Sequence, residues 1–375
     1  MFLFWLFVFV VAVQCRYVFY TFMRVFSLKV GMPLTVQQRQ PVSIIICAKN
    51  EAANLLNNLP LILTQRYSND AGIELYEVIV INDNSNDNTA RVLAGLQQQY
   101  AHLKIIHSGP DDQRILKGKK HALSIAVAHT SCEWLLLTDA DCAPASDQWL
   151  ALMTAPLANK KEIVAGYGGY GTTAGMLNAF IRWETLHTFI QYSSYALAGR
   201  PYMAVGRNMA CTKKALLKAQ SSHVWNALPS GDDDLLVNIV GTADNMAIVC
   251  DPLAFTFSEA KETWHGWVLQ KQRHLSAGKY YKWPVKLSLA LYASSHALSW
   301  LLFFILLLIH HPLAGFAVVY MLFRCLASWA TLAITARKLQ EKKLFYFFPL
   351  FDLGWMVYNF VFFPYITWKN KTTWT

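Results

Sequence analysis

The pattern of apolar residues divides the chain into a middle region of short alternating segments between two long apolar flanks. Residues 1–23 hold a single charged side chain, Arg16, and further apolar runs cover 287–309, 312–336 and 344–367. A helix of about 20 apolar residues crosses the roughly 30 Å hydrocarbon core of a bilayer. We therefore predict one N-terminal transmembrane helix and two or three C-terminal ones. The predicted domains are residues 1–26, 41–284 and 285–367.

The last apolar run allows two interpretations. It is interrupted by Pro349, Asp352, Gly354 and Pro364. It forms either a fourth span or a broken, re-entrant or interfacial hairpin that keeps Lys369 and Lys371 on the inside. Ionisable residues in a bilayer usually pair or line a functional cavity. Arg324 and Asp352 are thus expected to form a structural ion pair, with contact to a lipid-linked substrate as the alternative.

Charge is distributed unevenly along the chain. The region 41–284 has equal numbers of basic and acidic residues, so the net charge of +10 comes from the two flanks. Nucleic-acid-binding proteins carry such charge on the folded domain, whereas basic residues beside apolar runs mark the cytoplasmic side of a membrane. We expect no nucleic-acid partner. We expect an integral protein of a bacterial inner membrane, with membrane lipids around it and the middle region in the cytoplasm.

The middle region alternates strand and helix patterns. Buried strands are predicted at 42–48, 75–81, 104–107 and 133–138. Helices are predicted at 51–62, 86–100 and 119–129. This βαβαβ order predicts an α/β domain with a mostly parallel central sheet, whose ligands bind at the carboxyl ends of the strands.

Acidic side chains follow two of these strands. Asp83 ends the second, and Asp139 and Asp141 follow the strand at 133–138. Two such carboxylates can converge on one hard cation that holds a diphosphate, although an Asp-x-Asp triplet alone often only caps a turn. The chain has no Gly-rich phosphate loop after its first strand, which argues against dinucleotide-binding and Walker-type enzymes.

A second acidic cluster, Asp232 to Asp234, opens a predicted helix after Gly231. One carboxylate would cap that helix, but three repel one another, and this favours a carboxylate with a shifted pKa that serves as a general base. Farther on, the aromatic and basic segment 264–274 precedes the apolar run at 287. Its composition predicts an interfacial helix that contacts lipid headgroups.

Taken in order, these motifs resemble the membrane-bound family 2 glycosyltransferases, which include ceramide glucosyltransferase and the cellulose, chitin and hyaluronan synthases. The motifs are VSIIICAKNE (42–51), VIVINDNSND (78–87), GKKHAL (118–123), TDADC (138–142), GRNMA (206–210), GDDDLL (231–236) and QKQRH (270–274). The resemblance covers residues 41–284 and implies a GT-A-like, nucleotide-sugar-binding α/β fold flanked by transmembrane helices.

The resemblance also implies roles for individual residues. The positions that match the donor pocket are Ala48, Asn50, Glu51, Asp83, Lys119, Asp139 and Asp141. Asp139 and Asp141 would bind Mg²⁺ or Mn²⁺ on the donor diphosphate. Asp233, with Asp232 as second choice, would deprotonate the acceptor hydroxyl. The positions that match the motif closing over diphosphate and acceptor are Gln270, Arg273 and His274.

These matches predict a metal-dependent, inverting glycosyltransferase that uses a nucleotide sugar, with UDP-sugar favoured. His274 stands where the family usually has a Trp that stacks on the acceptor, and the spans are fewer than in long-chain synthases. We therefore expect transfer of a single sugar to a lipid or lipid-linked acceptor. A processive polysaccharide synthase is the alternative, followed by a non-catalytic membrane scaffold.

Overall fold

The computed structural model describes residues 1–109, 118–228 and 231–367. Within these ranges, ten strands form two sheets. The strands are β1 (Val42–Ala48), β2 (Tyr76–Asp83), β3 (Leu103–Ser108), β4 (Trp134–Asp139), β5 (Ala143–Pro144), β6 (Ile163–Ala165), β7 (Gly168–Tyr170), β8 (Met209–Thr212), β9 (Met246–Ile248) and β10 (Thr256–Ser258).

Twelve α-helices accompany the strands in the same described ranges. They are α1 (Phe2–Arg16), α2 (Ala52–Leu63), α3 (Thr89–Gln97), α4 (Lys119–His129), α5 (Trp149–Ala158), α6 (Met176–Leu197), α7 (Lys213–Gln220), α8 (Asp232–Val240), α9 (Trp264–Leu275), α10 (Trp283–Leu308), α11 (Ala314–Lys338) and α12 (Phe348–Thr367). A π-helical turn (Tyr17–Thr21) and a 3₁₀ segment (Phe22–Ser27) extend α1.

The larger sheet has the order β3-β2-β1-β4-β8-β6-β9, and the smaller sheet the order β5-β10-β7. Strands β3, β2, β1 and β4 are parallel to their neighbours, while β8 is antiparallel to both β4 and β6. This is a GT-A-like α/β fold, and the prediction of a mostly parallel central sheet is confirmed.

Each face of the large sheet is covered by its own apolar core. In β1, Ile44 and Ile46 belong to the core that includes α2 and α5, whereas Ile45 and Cys47 belong to the core on the opposite face with α4 and α6. The four side chains are at most 8% exposed. The uninterrupted apolar sequence of β1 follows from this position, since a strand covered on both faces has no solvent side to fill with polar residues.

Four helical segments are long and apolar enough to cross a membrane. They are Phe2–Ser27, Trp283–Leu308, Ala314–Lys338 and Lys343–Pro364. The third C-terminal candidate contains α12, which continues as one helix past Pro364. Trp267 of α9 contacts Tyr358 and Phe362 of α12, so this helix packs against α9 as well as against α10 and α11. Lys369 and Lys371 lie outside the described residues.

Buried polar side chains connect the apolar helices. Arg324 of α11 forms an ion pair with Asp352 of α12. His296 Nε2 lies 3.2 Å from one carboxylate oxygen of Asp352, and Trp300 Nε1 donates to the other at 3.2 Å. Gln14 of α1 accepts from Arg324 at 3.3 Å. The expected ion pair is thus part of a network that joins α1, α10, α11 and α12.

Candidate active site

The carboxyl ends of the three central parallel strands lie side by side. Cys47 of β1 is in register with Asp139 of β4, and Ala48 is in register with Asn82 of β2. The predicted acidic residues after these strands therefore lie at one edge of the sheet. Burial raises the pKa of Cys47 to about 12, and the charges of Asp139 and Asp83 add to the rise, so this thiol stays neutral. We refer to the region around Lys119, Asp139, Asp141, Asp232 and Asp233 at this edge as the cleft.

Lys119, the first residue of α4, connects the two acidic motifs. Its Nζ lies 2.5 Å from Asp139 Oδ1 and 3.7 Å from Asp232 Oδ2. The next residue, Lys120, points the other way and donates to the backbone oxygens of Trp225 (2.6 Å) and Leu228 (2.9 Å). Adjacent lysines thus perform two tasks: one neutralises carboxylates in the cleft, and the other holds the segment that leads to the acidic helix α8.

Asp139 and Asp141 form a compact donor set with Cys142. Their carboxylate oxygens and the Cys142 sulfur all lie within 4.8 Å of one another. Burial opposes ionisation of Asp139, but Lys119, Arg207 and Arg273 outweigh it and hold its pKa below the usual value. Burial and the neighbouring Asp139 raise the pKa of Asp141. These are the signs expected of two carboxylates that share a recess, and a bound cation would relieve their repulsion.

Two neighbours refine this candidate metal site. Burial raises the pKa of the Cys142 thiol well above its ordinary value, with Asp141 adding to the rise, so the sulfur is a poor ligand beside the oxygens. Burial also raises the pKa of Glu51, and Asp141 and Asp139 contribute. The site therefore offers two carboxylates with a third nearby, a set that suits hard cations such as Mg²⁺ and Mn²⁺.

Asp233 lies at the first turn of α8 and is held by backbone groups. The N–H of Gly206 donates to its Oδ2 at 2.6 Å, and the N–H of Asp234 donates to its Oδ1 at 2.9 Å. Burial and the adjacent Asp232 nevertheless raise the pKa of Asp233 to about 6. The neighbouring Asp234 is buried and accepts from the Tyr281 hydroxyl at 2.8 Å. Asp233 is the more exposed of the two.

The predicted closing motif occupies one rim of the cleft. Gln270 of α9 lies 3.5 Å from the Tyr170 hydroxyl, at the limit of a hydrogen bond, and Arg273 is close enough to lower the pKa of Asp139. His274 is exposed. The helix itself is confirmed, but Trp267 is only 4% exposed and packs on α12, so this part of its aromatic face contacts protein.

The remaining donor-pocket candidates lie at the same sheet edge with different accessibility. Asp83 is fully buried and accepts from the Ser108 hydroxyl at 2.7 Å. Asn50 is exposed, has a φ of 56°, and accepts from the N–H of Asn86 at 2.9 Å. Ala48 is buried at the end of β1. The structure thus brings these residues to one edge, with Asp83 below the surface and Asn50 on it.

The model for Glycosyl transferase family 2 matches residues 43–210, from the start of β1 into β8. The chain carries a glycosyl transferase family 2 domain. The match covers β1, β2 and β4 together with the sites of Asp83, Lys119, Asp139 and Asp141.

Two curated relatives align with this chain over part of their length. The probable glycosyltransferase YdaM of Bacillus subtilis is 24% identical over 247 residues, which are 64% of this chain and 55% of YdaM. The beta-monoglucosyldiacylglycerol synthase of Trichormus variabilis is 33% identical over 124 residues, 33% of this chain and 25% of the synthase. The chain therefore spans about half of the first relative and a quarter of the second.

One solved structure is similar over most of the chain. The mannosyltransferase PcManGT from Pyrobaculum calidifontis, in complex with GDP-Man and Mn²⁺, aligns over 93% of this chain and 95% of that chain. The TM-score is 0.57 and the sequence identity is 18%. Similarity at this level of identity shows that the fold is shared.

The family 2 domain contains a cleft residue whose role the sequence motifs did not indicate. Arg207 of the GRNMA segment lies over the Tyr170 ring at 4.2 Å, donates to the Ser258 hydroxyl at 3.1 Å, and lowers the pKa of Asp139. The available signal was its position between Gly206, which binds Asp233, and strand β8. Antiparallel pairing of β8 with β4 brings it to the acidic site.

Proposed function

We propose that this protein is an inverting glycosyltransferase that moves a sugar from a nucleotide-sugar donor, with UDP-sugar favoured, to a lipid or lipid-linked acceptor at the cytoplasmic face of a membrane. The observation that carries the proposal is the connection of two acidic motifs through Lys119. This residue contacts Asp139 at the end of β4 and Asp232 at the start of α8. A donor-holding group and a candidate base thus share one cleft.

Asp233 is the general base in this proposal. A base must be ionised at the working pH and must gain affinity for a proton as the acceptor hydroxyl attacks. A pKa of about 6 meets both conditions near pH 7. The N–H groups of Gly206 and Asp234 each donate to one carboxylate oxygen of Asp233 and hold the half-buried group in place, while each oxygen keeps a second lone pair that can accept the proton.

The reaction we propose is a single displacement. Asp233 takes the proton of the acceptor hydroxyl while that oxygen bonds to the anomeric carbon, and the bond from this carbon to the phosphate oxygen breaks. The leaving group is a nucleoside diphosphate with additional negative charge. Lys119, Arg207 and Arg273 supply positive charge around Asp139, where we place the diphosphate.

The divalent cation belongs beside the same group. Asp139 and Asp141 would hold Mg²⁺ or Mn²⁺, which when bound would neutralise the diphosphate and act as a Lewis acid on its oxygens. The close spacing of the carboxylates supports this assignment. Burial raises the pKa of both Asp141 and Glu51, and repulsion from the neighbouring carboxylates adds to each rise.

The proposal of a lipid acceptor is supported by the position of the candidate site beside the apolar helices. Tyr281, which hydrogen-bonds Asp234 next to the proposed base, lies two residues before the start of α10 at Trp283. The residues that close the cleft belong to α9, which packs on α12. The Trichormus relative is named a beta-monoglucosyldiacylglycerol synthase, and this name is consistent with a lipid acceptor.

Product analysis tests the acceptor and the number of transfers. A thermal-shift screen of nucleotide sugars on detergent-solubilised protein selects the donor, and that donor, radiolabelled, is incubated with Mn²⁺ and a total lipid extract. We expect one labelled product in the organic phase, larger than its acceptor by one sugar. A ladder of lengths would refute single transfer, and label confined to a water-soluble product would refute the lipid acceptor.

A further inference from the structure

A cavity of about 590 Å³ opens outside the cleft, where α1, α6 and α10 meet. Arginine supplies all of the charge on its walls, from Arg16 at the end of α1, Arg24 in the following 3₁₀ segment and Arg200 just after α6. The residues lining it include no Asp or Glu. Three guanidinium groups around one cavity create a positive potential that favours an anion.

These guanidinium groups have unused hydrogen-bonding capacity. Arg24 Nε donates to the backbone oxygen of Tyr20 at 3.0 Å. Within the described parts of the chain, none of Arg16, Arg24 and Arg200 has a carboxylate oxygen within 4.0 Å. All three residues are exposed. The planar fork of arginine matches the oxygens of a phosphate, so the unpaired groups can bind one without breaking an internal ion pair.

The cavity lies at the level where lipid headgroups are expected. Arg16 is about 22 Å along the helix from Met1, at a rise of roughly 1.5 Å per residue, and thus in the inner third of a 30 Å span, from which its long side chain can reach the headgroups. Ser288 of α10 lies five residues after the start of that helix and accepts, through its backbone oxygen, from the Tyr17 hydroxyl at 2.8 Å. Tyrosines and arginines are the side chains typical of this depth.

The local backbone is also unusual at this position. Residues Tyr17–Thr21, which interrupt the regular helix, form a π-helical turn, and Tyr17, Tyr20 and Thr21 all line the cavity. Single π-helical turns are rare in proteins, and those that occur are often found at functional sites. Arg16 precedes this turn in the chain and Arg24 follows it, and both residues line the same cavity.

We propose that this cavity binds the phosphate group of an anionic phospholipid of the surrounding bilayer. The inference rests on the membrane location in the proposed function. We place this lipid apart from the reacting acceptor, because the residues that line the cavity include none of the candidate site residues. A row of three tyrosine rings, residues 195, 202 and 281, connects the cavity wall with Asp234. Successive ring centroids are 5.3 and 5.2 Å apart, and the Tyr281 hydroxyl then donates to Asp234.

Lipid binding can be measured without any sugar transfer. The full chain is purified in a neutral detergent, and phosphatidylglycerol or phosphatidylcholine is titrated while thermal unfolding and native mass spectra are recorded. Inorganic phosphate and glycerol 3-phosphate are titrated in parallel. We expect phosphatidylglycerol to raise the unfolding temperature and to remain bound in the gas phase, and the other three probes to have little effect.

Two double variants identify the site. Arg16→Gln with Arg200→Gln removes two cavity charges and should weaken phosphatidylglycerol binding about thirtyfold, as expected for two basic residues near the membrane surface. Arg337→Gln with Lys343→Gln removes two exposed charges outside the cavity and should retain wild-type binding. All four side chains are exposed, so neither variant disturbs a core.

Several outcomes would overturn the inference. Equal loss of binding in both double variants would place the lipid elsewhere. Equal affinity for phosphatidylcholine and phosphatidylglycerol would show that the arginines do not select an anionic lipid. A response to inorganic phosphate as strong as that to phosphatidylglycerol would refute a lipid as the ligand. Because none of these readouts involves a nucleotide sugar, they are independent of whether the proposed reaction is correct.

Discussion

Replacing Lys119 by Met tests how the cleft balances its charges. The ammonium group lies 2.5 Å from Asp139 and 3.7 Å from Asp232, and without it at least three carboxylates share the recess with one fewer cation. Removing one partner of a buried ion pair lowers the free energy of unfolding by about 3–5 kcal/mol. The side chains of Lys119 and Asp139 are 19% and 39% exposed, so solvent screening reduces this to about 1–3 kcal/mol.

The same substitution should change affinity for metal and donor in opposite directions. Even at the dielectric constant of water, removing a unit positive charge about 5 Å from a divalent cation favours that cation by roughly 1.7 kcal/mol, or more than tenfold in affinity. Lys119→Met should therefore bind Mn²⁺ about tenfold more tightly than wild type. Donor affinity at saturating Mn²⁺ should fall, because the diphosphate loses a cation.

Isothermal titration calorimetry with Mn²⁺, and then with the nucleotide sugar at saturating Mn²⁺, measures both effects. Lys104→Met is the matched control, since Lys104 forms an ion pair with Glu77 on β2 and is not among the residues that affect Asp139. The control should leave both affinities unchanged. Unchanged or weaker Mn²⁺ binding in Lys119→Met would refute the assignment of the metal to this acidic recess.

Three further predictions follow from the geometry. Because Asp233 must be ionised to act as a base and its pKa is raised to about 6, kcat/KM should be constant above pH 7 and fall about tenfold per unit below pH 6; a flat profile to pH 4.5 would contradict this role. Charge reversal of either Arg324 or Asp352 should lower the stability of the folded protein by about 3–5 kcal/mol, seen as a smaller folded fraction in size-exclusion chromatography, and the double reversal should restore that fraction in part; a double variant no better than the singles would refute the pairing. Gly206→Ala would place a Cβ 3.2 Å from Asp233 Oδ2 and should lower kcat about tenfold with unchanged stability, while Gly95→Ala, whose Cβ meets nothing within 4 Å, should not.

The central sheet was predictable because its strands are covered on both faces. The predicted strand at 42–48 coincides with β1, and 133–138 differs from β4 by one residue at each end. In parallel strands separated by helices, the carboxyl ends meet at one edge, so the sequence positions of Asp83 and Asp139 were sufficient to place them together. Each of these strands could be predicted from a short, uninterrupted apolar segment of its own sequence.

Other elements lacked such a signal. Strands β6 to β10 have three or four residues each, too few for an alternating pattern, and the pairing of Leu137 with Met209 joins distant segments. The position of Arg207 beside Asp139 depends on that pairing. In the membrane region, the apolar run was predicted to begin at Leu287, whereas α10 begins at Trp283, where Pro284 suits the first helical turn.

The solvent exposure of individual site residues could not be predicted from the sequence either. Asp83 and Asn50 both match the donor pocket, but only the folded chain shows that Asp83 is fully buried against Ser108 while Asn50 is exposed. Similarly, the composition of segment 264–274 predicted contact with lipid headgroups, and the burial of Trp267 against α12 depends on a helix nearly a hundred residues farther along the chain.

The most direct test of the account compares donor binding with turnover in two aspartate variants. Binding of the nucleotide sugar is measured by calorimetry in Mn²⁺, and turnover is measured as release of the nucleoside diphosphate in the presence of acceptor lipid. Asp233→Asn should bind the donor as wild type does but lose turnover by about 10²–10⁴-fold, whereas Asp139→Asn should lose donor binding. Normal turnover in Asp233→Asn, or wild-type donor affinity in Asp139→Asn, would contradict the proposal that these carboxylates perform separate steps of one transfer.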